Sequence, residues 1–290
     1  MTSPQILSIQ SAVAYGFAGN SAAVFPLRRA GIDVWPVYTV NFSNHTGYGA
    51  WRGIHISAGD VSDIITGIDE RGALEKIDAV LSGYQGSADM AESIADAVRL
   101  VKQRNPAARY CADPVFGDVG RGVYAAPGIP EMMRDLVTPL ADIMTPNLFE
   151  LRYLTGRSTD TLQDIVSAAQ ALRDLGPQTV LVTSAQETGD RADFVRMIAL
   201  DDSGCWKVET PLIDRTFAGS GFVGSGDLTA AMFLAQLLQG ATLGDALSAT
   251  ASIVYSVLQI TDDLGGVELR LVQAQDSITD PAYRFTAQQL

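Results

Sequence analysis

Lysine is scarce in this sequence: Lys76, Lys102 and Lys207 are the only three in 290 residues. None follows a glycine-rich stretch, which excludes a phosphate loop that ends in Gly-Lys. Histidine is scarcer still, His45 and His55 alone, so a His-rich metal centre is excluded. The two cysteines, Cys111 and Cys205, lie far apart without metal-ligand spacing and read as buried free thiols rather than a disulfide. No apolar run reaches the roughly 18 residues that span a bilayer. The start, Met1-Thr2-Ser3-Pro4-Gln5, lacks the basic stretch of a signal peptide. A soluble, cytoplasmic protein is therefore expected. Basic residues are also few, 20 against 33 acidic, for a net charge of -13. That balance argues against nucleic acid or an anionic membrane as the main partner, yet leaves room for a small anion held by local donors. Any phosphate chemistry has to rely on backbone amides, arginines, hydroxyls and a cation held by carboxylates.

Apolar residues are abundant, at 47% against 18% charged, which suits a large core and not disorder. Short apolar runs bounded by turn residues predict strands at Ile6–Ile9, Val34–Val40, Ala79–Leu81, Arg109–Ala112, Asp142–Met144 and Thr179–Val182. Pro36 suggests that the second of these lies at a sheet edge. Phe194–Leu200 and Cys205–Thr210 read as a hairpin turning at Asp201-Asp202-Ser203-Gly204. Helical spacing begins at Ser21 and recurs at Val61–Ile68, Asp89–Lys102, Pro130–Leu140, Leu148–Thr155 and Thr161–Leu175. The last third reads as helical at Leu228–Leu238, Ala246–Ile260 and Val267–Val272, while Asn41–Gly53 and Gly117–Gly128 read as loops. Strand and helix alternate about eight times without a composition break, the pattern of one α/β domain over residues 1–290 with a mostly parallel central sheet flanked by helices. Ligands of such sheets bind beyond the carboxyl ends of the strands. Ser11, Tyr84, Asp113, Asn147 and Thr183 stand at those ends and are expected to line one rim.

The glycine-rich stretch Gly219-Ser220-Gly221-Phe222-Val223-Gly224-Ser225-Gly226-Asp227 runs straight into the apolar helix that starts near Leu228. A helix start offers unpaired N–H groups and the positive end of the peptide dipoles, so Gly224, Ser225 and Gly226 suit an anion hole. Asp227 is placed to take a proton from a substrate hydroxyl, and the helix dipole is expected to keep it ionised and weakly basic. The plain alternative is an acidic residue that only caps the helix. Gly219-x-Gly221-x-x-Gly224 formally fits the dinucleotide fingerprint, but it opens a helical tail late in the chain with no parallel strand and acidic end after it.

Thr145-Pro146-Asn147-Leu148-Phe149-Glu150 sets an amide and a carboxylate three residues apart at a strand-to-helix junction. The pair suits either a hydrated Mg²⁺ or an ordinary capping arrangement. Asp113-Pro114-Val115 and Asp118 add carboxylates to the same rim, where four acids would be odd company without a cation. Asn41-Phe42-Ser43-Asn44-His45-Thr46-Gly47-Tyr48 is dense in groups that bond to and stack on an aromatic ring; His45 also reads as a loop cap. Tyr84 reads as a ring-stacking wall or as a half-buried core aromatic.

With these motifs in place, the chain resembles the pyridoxal kinases of the ribokinase-like superfamily, PdxY type. The segments that carry the resemblance are Ser8-Ile9-Gln10-Ser11, Gly19-Asn20-Ser21-Ala22-Ala23, Phe42-Ser43-Asn44-His45-Thr46, Leu81-Ser82-Gly83-Tyr84, Asp113-Pro114-Val115, Thr145 to Glu150 and Gly224-Ser225-Gly226-Asp227. Together they span nearly the whole chain. The resemblance implies a three-layer ribokinase-like fold and ATP-dependent phosphorylation of the 5′-hydroxymethyl group of pyridoxal. Ser11, Thr46 and Gly47 would contact the ring, with His45 and Tyr84 nearby and Asp227 as base. Asp113, Asp118, Thr145, Asn147 and Glu150 would face ATP and its Mg²⁺, with Asp113 and Glu150 holding the metal through water. Thr183 and Ser184 would join them, and Thr210, Pro211, Leu212 and Ile213 would lie along the nucleotide. A homodimer and a monovalent cation such as K⁺ are also implied.

Two positions depart from the family pattern. Ala12 stands where a His usually follows Ser11, and Thr183 stands where the PdxY type often has Lys. Phosphate neutralisation then falls to Arg121, Arg215 or the metal. Two other readings stay open at this point: a hydroxymethylpyrimidine kinase, and a vitamer-binding protein with little catalysis.

Overall fold

Strand β1 (Gln5–Val13) is buried along its whole interior, as a strand covered on both faces must be. It pairs in parallel with β2 (Asp33–Phe42) on one side and β4 (Ala79–Ser82) on the other. In this computed structural model, which describes residues 3–190, 193–214 and 221–290, the parallel run continues through β5 (Arg109–Ala112), β8 (Ile143–Met144) and β9 (Thr179–Val182). Both margins are antiparallel. On one side stand β10 (Phe194–Asp201), β11 (Gly204–Pro211) and the short β12 (Gln288–Gln289); on the other stands β3 (Gly53–His55). The sheet has 10 strands in the order β12-β11-β10-β9-β8-β5-β4-β1-β2-β3.

Side chains alternate across the sheet, and each face builds its own core. Leu7, Ile9 and Val80 pack against α2 (Ala58–Asp69), α3 (Asp89–Arg104), α5 (Leu148–Thr155) and α6 (Leu162–Arg173). Ile6 and Leu81 face the other way, onto α1 (Asn20–Arg29), α7 (Ser225–Leu238) and α8 (Leu243–Asp263). A short helix α4 (Ile129–Met132) continues through a widened turn to Leu140. Leu228 to Ala235 of α7 are buried without a break, which explains an apolar helix with no polar face. By length and composition α8 is apolar enough to cross a membrane, so the expectation that no stretch qualifies does not hold. Here it is a core helix packed on α7, β10 and β11.

Several expectations are corrected. Val267–Val272 is not helical; Glu268 instead forms a single bridge with Val223. The loop Gly117–Gly128 contains a small hairpin, β6 (Gly117–Asp118) and β7 (Gly122–Val123). Strand β2 is not the outermost strand, but β3 covers only Val40 to Phe42, so Pro36 still stands where the outer side is unpaired. Of the two free thiols only Cys111 is fully buried; Cys205 is half-buried. Gly219, Ser220 and Arg215 lie outside the described residues.

Candidate active site

All five strand-end residues, Ser11, Tyr84, Asp113, Asn147 and Thr183, line one cavity of about 250 Å³, and the N-terminus of α7 closes it. Gly224 takes the N-cap position with φ 81° and makes no side-chain cap, while the Asp227 carboxylate accepts its own first-turn N–H and so combines a capping bond with its place in the cavity. A Cβ on Gly224 would collide with the Phe17 carbonyl, which is why the chain needs glycine there. Ser225, Gly226 and Asp227 form the first turn of α7 beside the cavity; the Ser225 N–H donates to the Phe222 carbonyl at 3.3 Å and the Asp227 N–H to its own carboxylate. Gly19 approaches Ser11 just as closely, and its N–H donates to the Asp227 carboxylate.

Asp227 does not remain a weak base. Burial pushes its carboxyl up to about 6, and the N–H groups of Gly19 and of Asp227 itself only partly offset this. The helix dipole is thus the smaller effect. Asp113 is pushed to about 7 by burial first and then by the charge of Asp227, although the Thr145 hydroxyl donates to it at 2.7 Å. Glu150 is raised well above the usual carboxylate range by burial and by Asp113.

Glu150 is also a structural residue. Asn147 and Glu150 form a complete capping box: Glu150 N–H donates to Asn147 Oδ1 at 3.0 Å and Asn147 N–H to Glu150 Oε2 at 2.9 Å. The N–H groups of Phe116 and Gly117 donate to Glu150 Oε1 at 3.1 and 3.4 Å. Asn147 Nδ2 donates to the Gly117 carbonyl at 2.8 Å, tying β6 to the base of α5. Capping and cavity lining are therefore joint roles of one pair. Among the described residues no group of three or more His, Cys, Asp or Glu side chains is arranged to cage a metal ion. Two carboxylates, Asp113 and Glu150, both raised first by burial and the second also by the charge of Asp113, do fit a Mg²⁺ that keeps most of its water.

Two flaps cover the mouth. In the first, His45 caps the short turn Thr46–Tyr48, its Nδ1 accepting the Gly47 N–H at 3.1 Å. His45 and Thr46 line the cavity together with Asn44. Gly47 does not line it, since its N–H is turned back onto His45. Burial and the Arg121 charge lower the His45 pKa, so this imidazole is neutral at pH 7. The second flap is the β6–β7 hairpin, which contributes Asp118, Arg121 and Tyr124, with the Arg121 guanidinium 4.7 Å from the Tyr124 ring centre. Arg121 is thus placed for an anion. Tyr124 carried no recognisable signal in the sequence, and Asn44 only that of the polar stretch 41–48 it belongs to.

A second cavity of about 310 Å³ adjoins the first and shares with it Thr183, Ser184, Gly221, Phe222, Ser225 and Gly226. Thr210, Pro211, Leu212 and Ile213 line one wall, and Val254, Tyr255 and Leu258 of α8 the opposite one. Ser184, where the two meet, is the one non-glycine residue with positive φ, 53°, among the described residues. Strain of that kind persists where the surroundings enforce it, often at ligand sites. The α8 wall was invisible in the sequence, because its residues have ordinary core character.

A family model described as phosphomethylpyrimidine kinase matches residues 71–269. The pyridoxal kinase PdxY of Leifsonia xyli subsp. xyli is 51% identical over 281 residues, 97% of this chain and 98% of that protein. The pyridoxal kinase PdxY of Rubrobacter xylanophilus is 52% identical over 282 residues, 97% of this chain and 95% of that protein. Among solved structures, the pyridoxal kinase from Leishmania donovani in complex with ADP and pyridoxamine has a TM-score of 0.88 at 27% identity and covers 99% of both chains.

Proposed function

The chain belongs to the pyridoxal kinases, with their ribokinase-like fold, and phosphorylates pyridoxal with ATP; we propose that Asp227 is the base and the Gly224–Gly226 turn the anion hole of this reaction. The observation that carries this reading is the position of Asp227. It lies at the start of α7, where the cavity under the His45 flap meets the cavity along Thr210 to Ile213.

In this reading the ring of pyridoxal occupies the first cavity against Ser11, Thr46 and Tyr84, with neutral His45 as a hydrogen-bonding partner. Its 5′-hydroxymethyl oxygen faces Asp227 and attacks the terminal phosphorus of ATP. The new O–P bond forms as the P–O bond to ADP breaks, and the hydroxyl proton passes to Asp227. A carboxylate held near 6 accepts that proton better than an ordinary aspartate and is still mostly ionised at neutral pH. The positive end of α7 with the Gly226 N–H, together with Thr183, Ser184 and Arg121, receives the phosphate charge. Asp113, Asp118, Thr145, Asn147 and Glu150 form the nucleotide-phosphate side. Asp113 and Glu150 would hold Mg²⁺, which would supply charge neutralisation at the phosphates. The adenosine half lies along Thr210 to Ile213. Residues 1–290 act as one domain, and we further infer a cytoplasmic homodimer that also takes a monovalent cation such as K⁺.

Purified protein with ATP, Mg²⁺ and pyridoxal should form pyridoxal 5′-phosphate and ADP in equal amounts. Hydroxymethylpyrimidine in the same assay separates the nearest alternative. Turnover of that substrate with none of pyridoxal would overturn the reading.

A further inference from the structure

Glu268 lies in the segment that the sequence suggested was helical, and it lines neither cavity. It is nevertheless 93% removed from solvent, at 7% exposure, without a lysine or arginine bonded to it among the described residues. A buried carboxylate is costly unless its bonds accomplish something. Its two oxygens are divided. Oε2 accepts the N–H of Phe17 at 2.9 Å, and Oε1 accepts the hydroxyl of Tyr48 at 3.0 Å. Its backbone forms the bridge to Val223.

Each partner leads directly to the active site. Tyr48 ends the turn that begins at His45 and includes Thr46. Val223 precedes Gly224. The Phe17 carbonyl is the atom against which Gly224 is packed, and two residues later Gly19 bonds to Asp227. One carboxylate thus reaches the ring flap, the anion turn and the loop that holds the base. Gly16 leaves no room for a side chain at the same point, because a Cβ there would overlap the Glu268 carboxylate.

We propose that Glu268 is a positioning residue for pyridoxal phosphorylation: it braces the His45–Tyr48 flap against the Val223–Asp227 turn, so the ring and the base are set together. This rests on the pyridoxal kinase reading, and it concerns how the site is held rather than which groups react. Tyr48 is 38% exposed, so removing its hydroxyl leaves the core untouched.

The test has two arms, on the full chain. In the first, backbone hydrogen exchange is measured without substrate on the wild type and on Tyr48→Phe. Exchange should quicken both at the bonded N–H groups of Gly47, Tyr48 and Gly49 and at those of Ser225 and Leu228. Faster exchange in the flap alone would show that no coupling exists and would overturn the brace, whatever the substrate. In the second arm, Tyr48→Phe and Glu268→Ala should raise KM for pyridoxal roughly tenfold, the scale of one lost hydrogen bond to a carboxylate. KM for ATP should rise less than KM for pyridoxal, because the anion turn is braced but the Thr210 to Ile213 wall is not. Glu268→Gln should recover most of the loss, since its amide oxygen accepts the Phe17 N–H and its amide N–H donates to the Tyr48 oxygen. Loss of thermal stability with both KM values unmoved would reduce Glu268 to a structural residue. Absence of wild-type turnover would strike the kinase reading instead, with the exchange arm still deciding the brace.

Discussion

Asp113 and Asp227, one just past the end of β5 and the other in the first turn of α7, share a cavity closely enough that the charge of Asp227 adds to burial in holding Asp113 at about 7. Neither acid has a lysine or arginine bonded to it among the described residues. The pair stores electrostatic repulsion that a cation relieves, and this makes both stability and rate sensitive to pH.

The sign for stability follows from linkage. Asp113 has a folded pKa of about 7 against an ordinary value near 3.8. It therefore binds its proton more tightly in the folded chain, and its penalty is absent below the unfolded value and complete only above the folded one. In metal-free buffer, Asp113→Asn should match the wild type in Tm near pH 4 and exceed it increasingly as pH rises to 8, by up to a few kcal/mol in stability. Thermal melts across that range check this. Adding Mg²⁺ at pH 8 should raise the Tm of the wild type and not that of the variant.

For the rate, the deprotonated form of Asp227 is the active one. With its pKa at about 6, kcat/KM for pyridoxal should climb through an acidic limb near pH 6 and level off above pH 7. Asp113→Asn should leave that limb near pH 6, because Asp113, at about 7, still holds its proton while Asp227 loses its own. A pH–rate profile of the two proteins checks this, and a limb displaced to lower pH would show that the two acids titrate as one pair.

Gly224→Ala should disable the anion turn. The residue has φ 81°, and an added Cβ meets the Phe17 carbonyl. We expect about 2 kcal/mol or more of lost stability from the strained backbone, and a fall in kcat of at least about tenfold as the N–H groups at the α7 start lose their aim. Denaturant melts and steady-state kinetics separate the two effects. Gly226→Ala, which meets no atom within 4 Å, is the control for stability.

Leu212 lines the second cavity and is 42% exposed. Truncation to Ala removes a contact that ATP alone completes. KM for ATP should rise roughly four- to fifteenfold, about the worth of one to two buried methylenes, with KM for pyridoxal and the Tm unchanged. A rise in both KM values would mean that this wall does not belong to the nucleotide.

The rim was legible because parallel strands buried on both faces leave continuous apolar runs that stop at turn residues. Ala79 to Ser82, Arg109 to Ala112 and Thr179 to Val182 are such runs, and Tyr84, Asp113 and Thr183 follow at their ends. Asn147 and Glu150 were legible as a pair for a local reason, since a capping box is written within four residues of sequence. What was lost in the sequence depends on contacts between distant segments. Glu268 is 251 residues from Phe17 and 220 from Tyr48, and only folding joins them. The β6–β7 hairpin pairs two residues with two, too short a strand for any period to appear. The basicity of Asp227 was misjudged because the helix dipole can be read from sequence and burial cannot.

Asp227→Asn separates catalysis from binding. The amide keeps the size and the hydrogen-bond acceptor that faces Gly19 but cannot take a proton at neutral pH. Removing a charge that burial disfavours should leave the fold at least as stable. If Asp227 is the base, kcat should fall by about 10² to 10⁴, with the dissociation constant for pyridoxal changed by less than about threefold because the ring contacts at Ser11, Thr46 and Tyr84 remain. Equilibrium binding by fluorescence and single-turnover product formation measure the two quantities independently. An unchanged single-turnover rate would assign the proton transfer elsewhere, to solvent or to the phosphate oxygens, and leave Asp227 as an orienting group at the start of α7. A collapse of binding together with rate would place Asp227 in ground-state recognition of the hydroxyl rather than in its activation.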